Sequence, residues 1–179
     1  MRLFVGIPLS PETFADLDRV VARMKPRLVG WRWSQPESWH ITLQFLGATR
    51  HDQLEPLTAQ LHTIQSPFVP IRLGGLDLFD RTGVLFVDVT ISPELAALQK
   101  KVERATAPCG FVAESRPYHP HMTLARLKGG VRNRSLRNAI AGPHRFSAFT
   151  ASEFLLYESF LSLSGSRYEI RERFSLIER

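Results

Sequence analysis

The sequence offers almost no sulfur chemistry, because Cys109 is the one cysteine among its 179 residues. A single thiol excludes an internal disulfide and leaves too few ligands for a zinc ribbon or an iron–sulfur cluster. Long apolar runs are also missing. The apolar opening is cut by Pro8, too early for a signal peptide, and no run reaches transmembrane length. We therefore expect a cytoplasmic protein with no membrane partner.

Acidic residues are fewer than basic ones, 17 against 23, which gives a net charge of +6 and a pI near 10.1. This balance favours polyanionic partners such as nucleic acid or phosphorylated metabolites, although an Arg-rich surface also serves solubility alone. The length suits one domain, or two small lobes that share an interface.

A short motif, His-x-Thr-Leu, occurs twice, first at His40 and again at His121 in the second half of the chain. In each copy polar and apolar residues alternate, which is typical of a half-buried strand. Side chains two positions apart share one face of a strand, so Thr42 accompanies His40 and Thr123 accompanies His121. Two copies in matching contexts indicate one active site that uses both imidazoles.

The chain also repeats its opening. Residues 85–94 match residues 3–12 at six of ten positions, and these two segments are separated by nearly the same length of chain as the two histidines. The common separation predicts an internal repeat of residues 3–82 and 85–164, followed by a terminal strand over 165–177. Halves related by a pseudo-two-fold axis would bring equivalent residues together, and His40 and His121 would then meet in a cleft.

The internal repeat predicts one bilobal domain over 1–179, and the hydrophobic periodicity predicts both strands and flanking helices in each lobe. Ser-Pro-Glu at 10–12 and at 92–94 is a good helix start, and a further helix is expected near 51–65. Strands are expected over 3–9, 68–79, 84–91, 145–150, 152–161 and 167–177. We expect a short helix over 133–142 and the last three of these strands to complete the second lobe, with pairing of the terminal strands across the repeats as an open alternative.

Paired imidazoles suit acid–base chemistry on a phosphodiester. A neutral ring can take a proton from water while an imidazolium protonates the leaving oxygen, and an unperturbed pKa near 6.5 lets both states coexist around neutral pH. This chemistry needs no metal and no cofactor. The neighbouring threonine hydroxyls can donate hydrogen bonds to phosphate oxygens.

The chain resembles the two-histidine phosphoesterases, specifically the RNA 2′,3′-cyclic phosphodiesterases, also called 2′-5′ RNA ligase-like proteins. The residues that carry the resemblance are HITLQFLG at 40–47, HPHMTLAR at 119–126, LFVGIPL at 3–9 and GSRYEIRERFSL at 165–176. The resemblance implies a bilobal α+β fold with an antiparallel sheet and flanking helices in each lobe. It also implies hydrolysis of a terminal 2′,3′-cyclic phosphate, on RNA or a related cyclic nucleotide, to a 2′-phosphomonoester. It further implies that His40 is the general acid, that His121 is the general base, and that Thr42 and Thr123 hold the phosphate.

Arg126 occupies the family's arginine position, where its guanidinium would bind phosphate oxygens. Strict alternation places it on the face opposite His121, so it needs a β-bulge or the strand's end to reach the cleft. Its counterpart in the first repeat, Phe45, is expected in the core.

Other polar and aromatic residues give weaker signals. His119 is expected to have a structural role, and core packing is favoured over base stacking for the tryptophans at 31, 33 and 39. The basic run of Lys128, Arg132, Arg134 and Arg137 would follow an RNA backbone or simply cover a solvated loop.

Three alternatives stay open beside hydrolysis. The same histidines would catalyse 2′-5′ RNA ligation in reverse, the fold could serve as a nucleotide-binding or RNA-binding module without turnover, and a zinc site is the least favoured because only two histidines converge. We expect a monomer.

Overall fold

A computed structural model describes residues 1–127, 134–162 and 165–178. Four helices separate single strands and groups of two or three strands in this described part of the chain, with short 3₁₀ turns between some of the elements. The elements are β1 (Arg2–Ile7), α1 (Pro11–Met24), β2 (Arg32–Trp33), β3 (Ile41–Ala48), α2 (Leu54–His62), β4 (Val69–Ile71), β5 (Leu73–Phe79), β6 (Val84–Val89), α3 (Pro93–Thr106), β7 (His121–Arg126), α4 (Arg134–Ile140), β8 (Phe149–Ala151), β9 (Glu153–Ser162) and β10 (Gly165–Ser175).

Most of the strands form two four-stranded antiparallel sheets. The first sheet has the order β10-β9-β1-β3, the second sheet has the order β2-β7-β6-β5, and β4 pairs with β8 apart from both. The predicted α+β class with antiparallel sheets is confirmed.

The two helices of the repeated start signal begin in the same way. Ser10 Oγ accepts a hydrogen bond from the backbone N–H of Thr13 at 3.2 Å, and Ser92 Oγ accepts one from Leu95 N–H at 3.1 Å. A proline follows each serine at the first helical position, where its missing N–H costs nothing.

Each of these helices covers the sheet that does not contain the strand before it. Helix α1 follows β1 of the first sheet but packs its apolar stripe on Val87, Met122 and Leu124 of the second sheet. Helix α3 follows β6 of the second sheet and packs on Val5, Ile41 and Leu43 of the first. The buried stripes are Leu17, Val20, Val21 and Met24 in α1, and Leu95, Leu98 and Val102 in α3.

The strands near the C-terminus do not complete the second lobe, which corrects that expectation for 152–161 and 167–177, whereas the alternative that terminal strands pair across the repeats is confirmed. Strand β9 pairs with β1, and β10 pairs with β9, so both belong to the first sheet. Residues 154–157 of β9 are buried on both faces. Such a strand belongs inside a sheet, with neighbours on both edges and cover on both sides. Strand β5, from the first half of the chain, joins the second sheet instead.

Two further strands are shorter in the structure than the sequence predicted. The segment 68–79 divides at Arg72 into β4 and β5, because β4 pairs with β8 while β5 pairs with β6. The strand expected over 145–150 is reduced to β8. The boundaries of the internal repeat stay a prediction. Among the described residues, no helix is long and apolar enough to span a membrane.

Candidate active site

The two motif histidines line one cavity of about 420 Å³. His40 directly precedes β3 of the first sheet, and His121 is the first residue of β7 in the second sheet. Thr42, Thr123 and Arg126 line the same cavity. The structure therefore brings together all five side chains that the sequence singled out, at the place where the two sheets meet.

The same kind of hydrogen bond orients both imidazoles. His40 Nδ1 donates to the carbonyl oxygen of Ser38 at 2.7 Å, and His121 Nδ1 donates to the carbonyl of His119 at 2.8 Å. A carbonyl oxygen can only accept, so Nδ1 carries the hydrogen in each ring. Nε2 is thereby left for proton transfer, and in neutral His40 it accepts from Thr42 Oγ1 at 3.0 Å.

His40 lies in an aromatic pocket. Its ring stacks on Phe4 with centroids 4.4 Å apart and meets Tyr168 edge-on at 5.2 Å. Burial lowers the pKa of His40 to about 4, the Ser38 carbonyl raises it, and the charge of protonated His121 lowers it further. The last effect means that the two imidazoles are close enough to interact electrostatically.

His121 has a more polar neighbourhood. The rings of Phe79 and Phe86 meet it at about a right angle and at 66°, with centroids 5.0 and 5.3 Å away. Burial lowers the pKa of His121, and the charges of His119 and Arg126 lower it further. The hydrogen bond to the His119 carbonyl and the carboxylate of Asp88 oppose this shift.

These pKa shifts correct one expectation. Titration near pH 6.5 would have let protonated and neutral imidazoles coexist at neutral pH, but burial favours the neutral form of both rings. An anion bound between them would reverse part of this effect, because a negative charge stabilises the imidazolium. Binding of such an anion would therefore favour protonation of the rings.

A β-bulge turns Arg126 towards the cavity, as the alternation argument required. In the ladder of β6 with β7, Phe86 faces Thr123 and the next pair is Leu85 with Ala125, so Leu124 has no partner in that ladder. The extra residue shifts the alternation by one position. Arg126 consequently lies on the cavity side with Thr123.

The same irregularity corrects the prediction for Phe45. In the ladder of β1 with β3, Gly6 faces Thr42 and Val5 faces Gln44, so Leu43 is the extra residue. Phe45 is 71% exposed and lines the cavity instead of entering the core. Its place in the first motif, which corresponds to that of Arg126 in the second, was the signal that could have indicated this.

Arg32 is the charged side chain among the cavity residues that the sequence did not reveal. It lies in β2, whose two residues pair with the end of β7, and its register partner is Arg126. A two-residue strand leaves no alternation to read, so no sequence signal marked it. Tyr168, which lies in the C-terminal segment that carries the family resemblance, also lines the cavity beside His40.

The weaker candidates take other places. His119 Nε2 donates to Asp88 at 2.9 Å, and Trp39 is buried in the core. Trp31 and Trp33 pack partly buried against the core, and Trp33 also lines the cavity. The guanidinium of Arg137 is held by Asp77 and Asp80, whereas Lys128, Arg132 and the side chain of Arg134 lie outside the described residues. In the described part of the chain, no three His, Cys, Asp or Glu side chains cluster as metal ligands would.

The chain resembles known proteins over nearly its whole length. Residues 15–159 match the model of the 2′-5′ RNA ligase superfamily. An RNA 2′,3′-cyclic phosphodiesterase of Bacillus subtilis (strain 168) is 38% identical over 128 residues, which are 69% of each chain. The Aquifex aeolicus protein of the same name is 29% identical and covers 98% of this chain and 97% of its own.

Solved structures agree with this similarity. LigT of E. coli in its apo form superposes with a TM-score of 0.84 at 25% identity, covering 99% of this chain and 98% of LigT. The protein TT0787 of Thermus thermophilus superposes with a TM-score of 0.83 at 25% identity, over 98% of this chain and 97% of its own. The family match and the shared fold lead to one conclusion: this chain belongs to the 2′-5′ RNA ligase superfamily.

Proposed function

We propose that this protein hydrolyses 2′,3′-cyclic phosphate ends of RNA to 2′-phosphomonoesters, by acid–base catalysis with two histidines and without a metal. One observation carries the proposal: two imidazoles, each with Nδ1 bound to a backbone carbonyl, share a single cavity with threonine and arginine side chains. The names of the Bacillus and Aquifex relatives support the same reaction.

In the proposed reaction, His121 Nε2 accepts a proton from a water molecule as the water oxygen attacks phosphorus. The bond from phosphorus to O3′ breaks, and protonated His40 gives its Nε2 proton to that oxygen. The products are a 2′-phosphate and a free 3′-hydroxyl. One proton enters the site on His40 and one leaves on His121, so the rings exchange protonation states in each turnover.

The depressed pKa of His40 fits this role once substrate is bound. A proton on His40 is costly in the free protein, where burial lowers the pKa to about 4. The phosphodiester anion stabilises that proton, and the low intrinsic basicity of the ring then makes it a strong acid towards O3′. Thr42, Thr123 and Arg126 would donate to the nonbridging oxygens, where negative charge develops.

Product analysis on a short RNA with a 2′,3′-cyclic phosphate end tests the proposal. We expect a 2′-phosphate as the sole product, and we expect full activity in excess EDTA. A 3′-phosphate product would contradict the assigned bond cleavage. Loss of activity with EDTA, restored by a divalent metal, would contradict the metal-free mechanism. Adding an RNA with a 5′-hydroxyl to the same reaction measures 2′-5′ ligation, in which that hydroxyl would replace water.

A further inference from the structure

Asp88 lies directly across the ladder from the second motif histidine. It is the register partner of His121 in the pairing of β6 with β7, and residues directly opposite in an antiparallel ladder share one face, with Cβ atoms about 5 Å apart. The Asp88 carboxylate accepts a hydrogen bond from His119 Nε2 at 2.9 Å. His119 in turn supplies the backbone carbonyl that holds His121 Nδ1 at 2.8 Å. Asp88 is therefore linked to the His121 ring both across the ladder and through His119.

The rings of His119 and His121 are held side by side. Their centroids are 5.9 Å apart, and Phe79 and Phe86 make edge contacts with both of them, at centroid distances between 5.0 and 5.7 Å. The hydrogen bond to Asp88 adds a polar contact that fixes the orientation of the His119 ring. Because His119 also carries the carbonyl that orients His121, a displaced His119 would disturb the His121 ring.

The first motif has a glycine where the second has this carboxylate. By the separation of the repeat, Asp88 corresponds to Gly6, and a Cβ on Gly6 would lie only 3.2 Å from His40 Cδ2. The carbonyl that holds His40 belongs to Ser38, whose hydroxyl donates to the backbone carbonyl of Gln35 at 2.6 Å. At corresponding positions, a negative charge therefore accompanies His121 and only backbone accompanies His40.

This difference matches the proposed direction of proton transfer. As the base, His121 becomes a cation when it takes a proton from water, and a carboxylate opposite the ring stabilises that cation. Burial lowers the pKa of His121, the charges of His119 and Arg126 lower it further, and the charge of Asp88 opposes them. His40, which loses its proton in the same step, interacts with His121 across the cavity.

We propose that Asp88 is a positioning residue for the general base: it holds His119, whose carbonyl orients the His121 ring, and it places a negative charge opposite the imidazolium that forms there. This inference rests on the proposed function and deepens it, because it gives a physical reason why His121, and not His40, takes the proton from water. In this role Asp88 exchanges no proton itself.

The variant Asp88→Asn tests this role, because the amide oxygen can still accept the hydrogen bond from His119 while the charge is lost. We expect kcat for a cyclic-phosphate RNA to fall about tenfold, since Asp88 supports only part of the effect of a well-placed base. KM should stay the same or fall, because a negative charge is removed near an anionic substrate. A general distortion of the cavity would raise KM instead.

Asp18→Asn is the matched control, because Asp18 is an exposed carboxylate of α1 outside the cavity. It should keep the wild-type kcat and KM. Wild-type kcat in Asp88→Asn, or a higher KM with kcat unchanged, would overturn the positioning role and leave the proposed function intact.

A histidine titration followed by NMR requires no turnover and therefore separates this inference from the proposed function. In Asp88→Asn the titration midpoint of His121 should shift to lower pH, because the charge that raises its pKa is gone, whereas Asp18→Asn should leave the midpoint in place. An unchanged midpoint in Asp88→Asn would overturn the inference. A protein that hydrolyses no cyclic phosphate but shows the shift would refute the proposed function and still support the link from Asp88 to His121.

Discussion

The two histidines hold their rings by the same hydrogen bond but have different neighbours. His40 lies flat against Phe4 and under the edge of Tyr168. His121 meets aromatic edges only, beside the hydrogen bond of His119 with Asp88. Geometry is thus common to the two motifs, because a backbone carbonyl fixes each ring, whereas proton affinity is set separately by the surroundings.

Residues at corresponding positions of the two halves extend this contrast. Phe45 and Arg126, each at the same place after its motif histidine, are both turned into the cavity by a bulge, yet one offers an aromatic face and the other a positive charge. Gly6 of the opening segment and Asp88 of its second copy are equally different. The first-sheet side of the cavity thus has an aromatic ring where the second-sheet side has a positive charge, although the backbone is bent in the same way on both sides.

Removing either imidazole should have the largest effect on kcat, and the loss should be of similar size for the two rings. His40→Gln and His121→Gln are each expected to lower kcat at least about 100-fold, the usual share of one acid or base. Steady-state hydrolysis of a cyclic-phosphate RNA measures this, with His51→Gln as an exposed control. Near-normal turnover in either variant would exclude that ring from proton transfer.

Gly6→Ala should disturb only the first-sheet side. A Cβ on Gly6 would lie 2.9 Å from the Ile41 carbonyl oxygen and 3.2 Å from His40 Cδ2, so the ring or the strand must move. Since displacement of about 1 Å can cost a hundredfold in rate, a shift of a few tenths should cost roughly tenfold in kcat.

Gly75→Ala provides the matched control for that variant, because a Cβ there meets nothing within 4 Å. It should retain wild-type kcat. Wild-type kcat in Gly6→Ala as well would mean that the exact position of the His40 ring does not limit the reaction.

Phe45→Ala should weaken recognition of the base and not of the phosphate. Stacking on an aromatic ring contributes about 1–3 kcal/mol per base, so KM for adenosine 2′,3′-cyclic phosphate should rise about fivefold or more. Ribose 2′,3′-cyclic phosphate, which has no base, provides the comparison. An equal rise in KM for both substrates would show that Phe45 acts on the shape of the cavity.

The pH dependence should show the smallest difference between the two histidines. Because the folded pKa values of both histidines are lowered, kcat/KM, which reports the free enzyme, should have its optimum below pH 6.5. The unfolded chain binds more protons between pH 6.5 and about 4, the folded pKa of His40, so stability should be full above pH 6.5 and fall as the pH drops through this window.

Denaturant unfolding at pH 7.5 and pH 4.5 measures this loss, and His40→Gln should reduce it more than His121→Gln does. An equal loss in wild type and in His40→Gln would mean that His40 is not held neutral by its pocket.

The sequence predicted the parts of this protein that depend on local chemistry. Serine followed by proline identified both helix starts, and His-x-Thr identified the faces that line the cavity. It could not predict which sheet β9 joins, because periodicity reveals which faces are buried but not which strand lies beside them. The bulges at Leu43 and Leu124 depend on strand register, and the position of Phe45 depends on a bulge.

The sequence could not predict the pKa values of the two histidines either. The expected value near 6.5 assumed solvated rings, and only the packing of Phe4 and Tyr168 around His40 reveals the desolvation that lowers it. Arg32 was missed for a related reason, because its meaning comes from its partner across the ladder.

The crossed packing of α1 and α3 has a consequence for folding. Each sheet is covered by the helix that follows a strand of the other sheet, so either sheet without the other would leave an apolar face open to water. The two sheets are consequently expected to melt in one transition. The distance between the two sheets across the cavity is set by the hydrophobic core itself, not by a hinge.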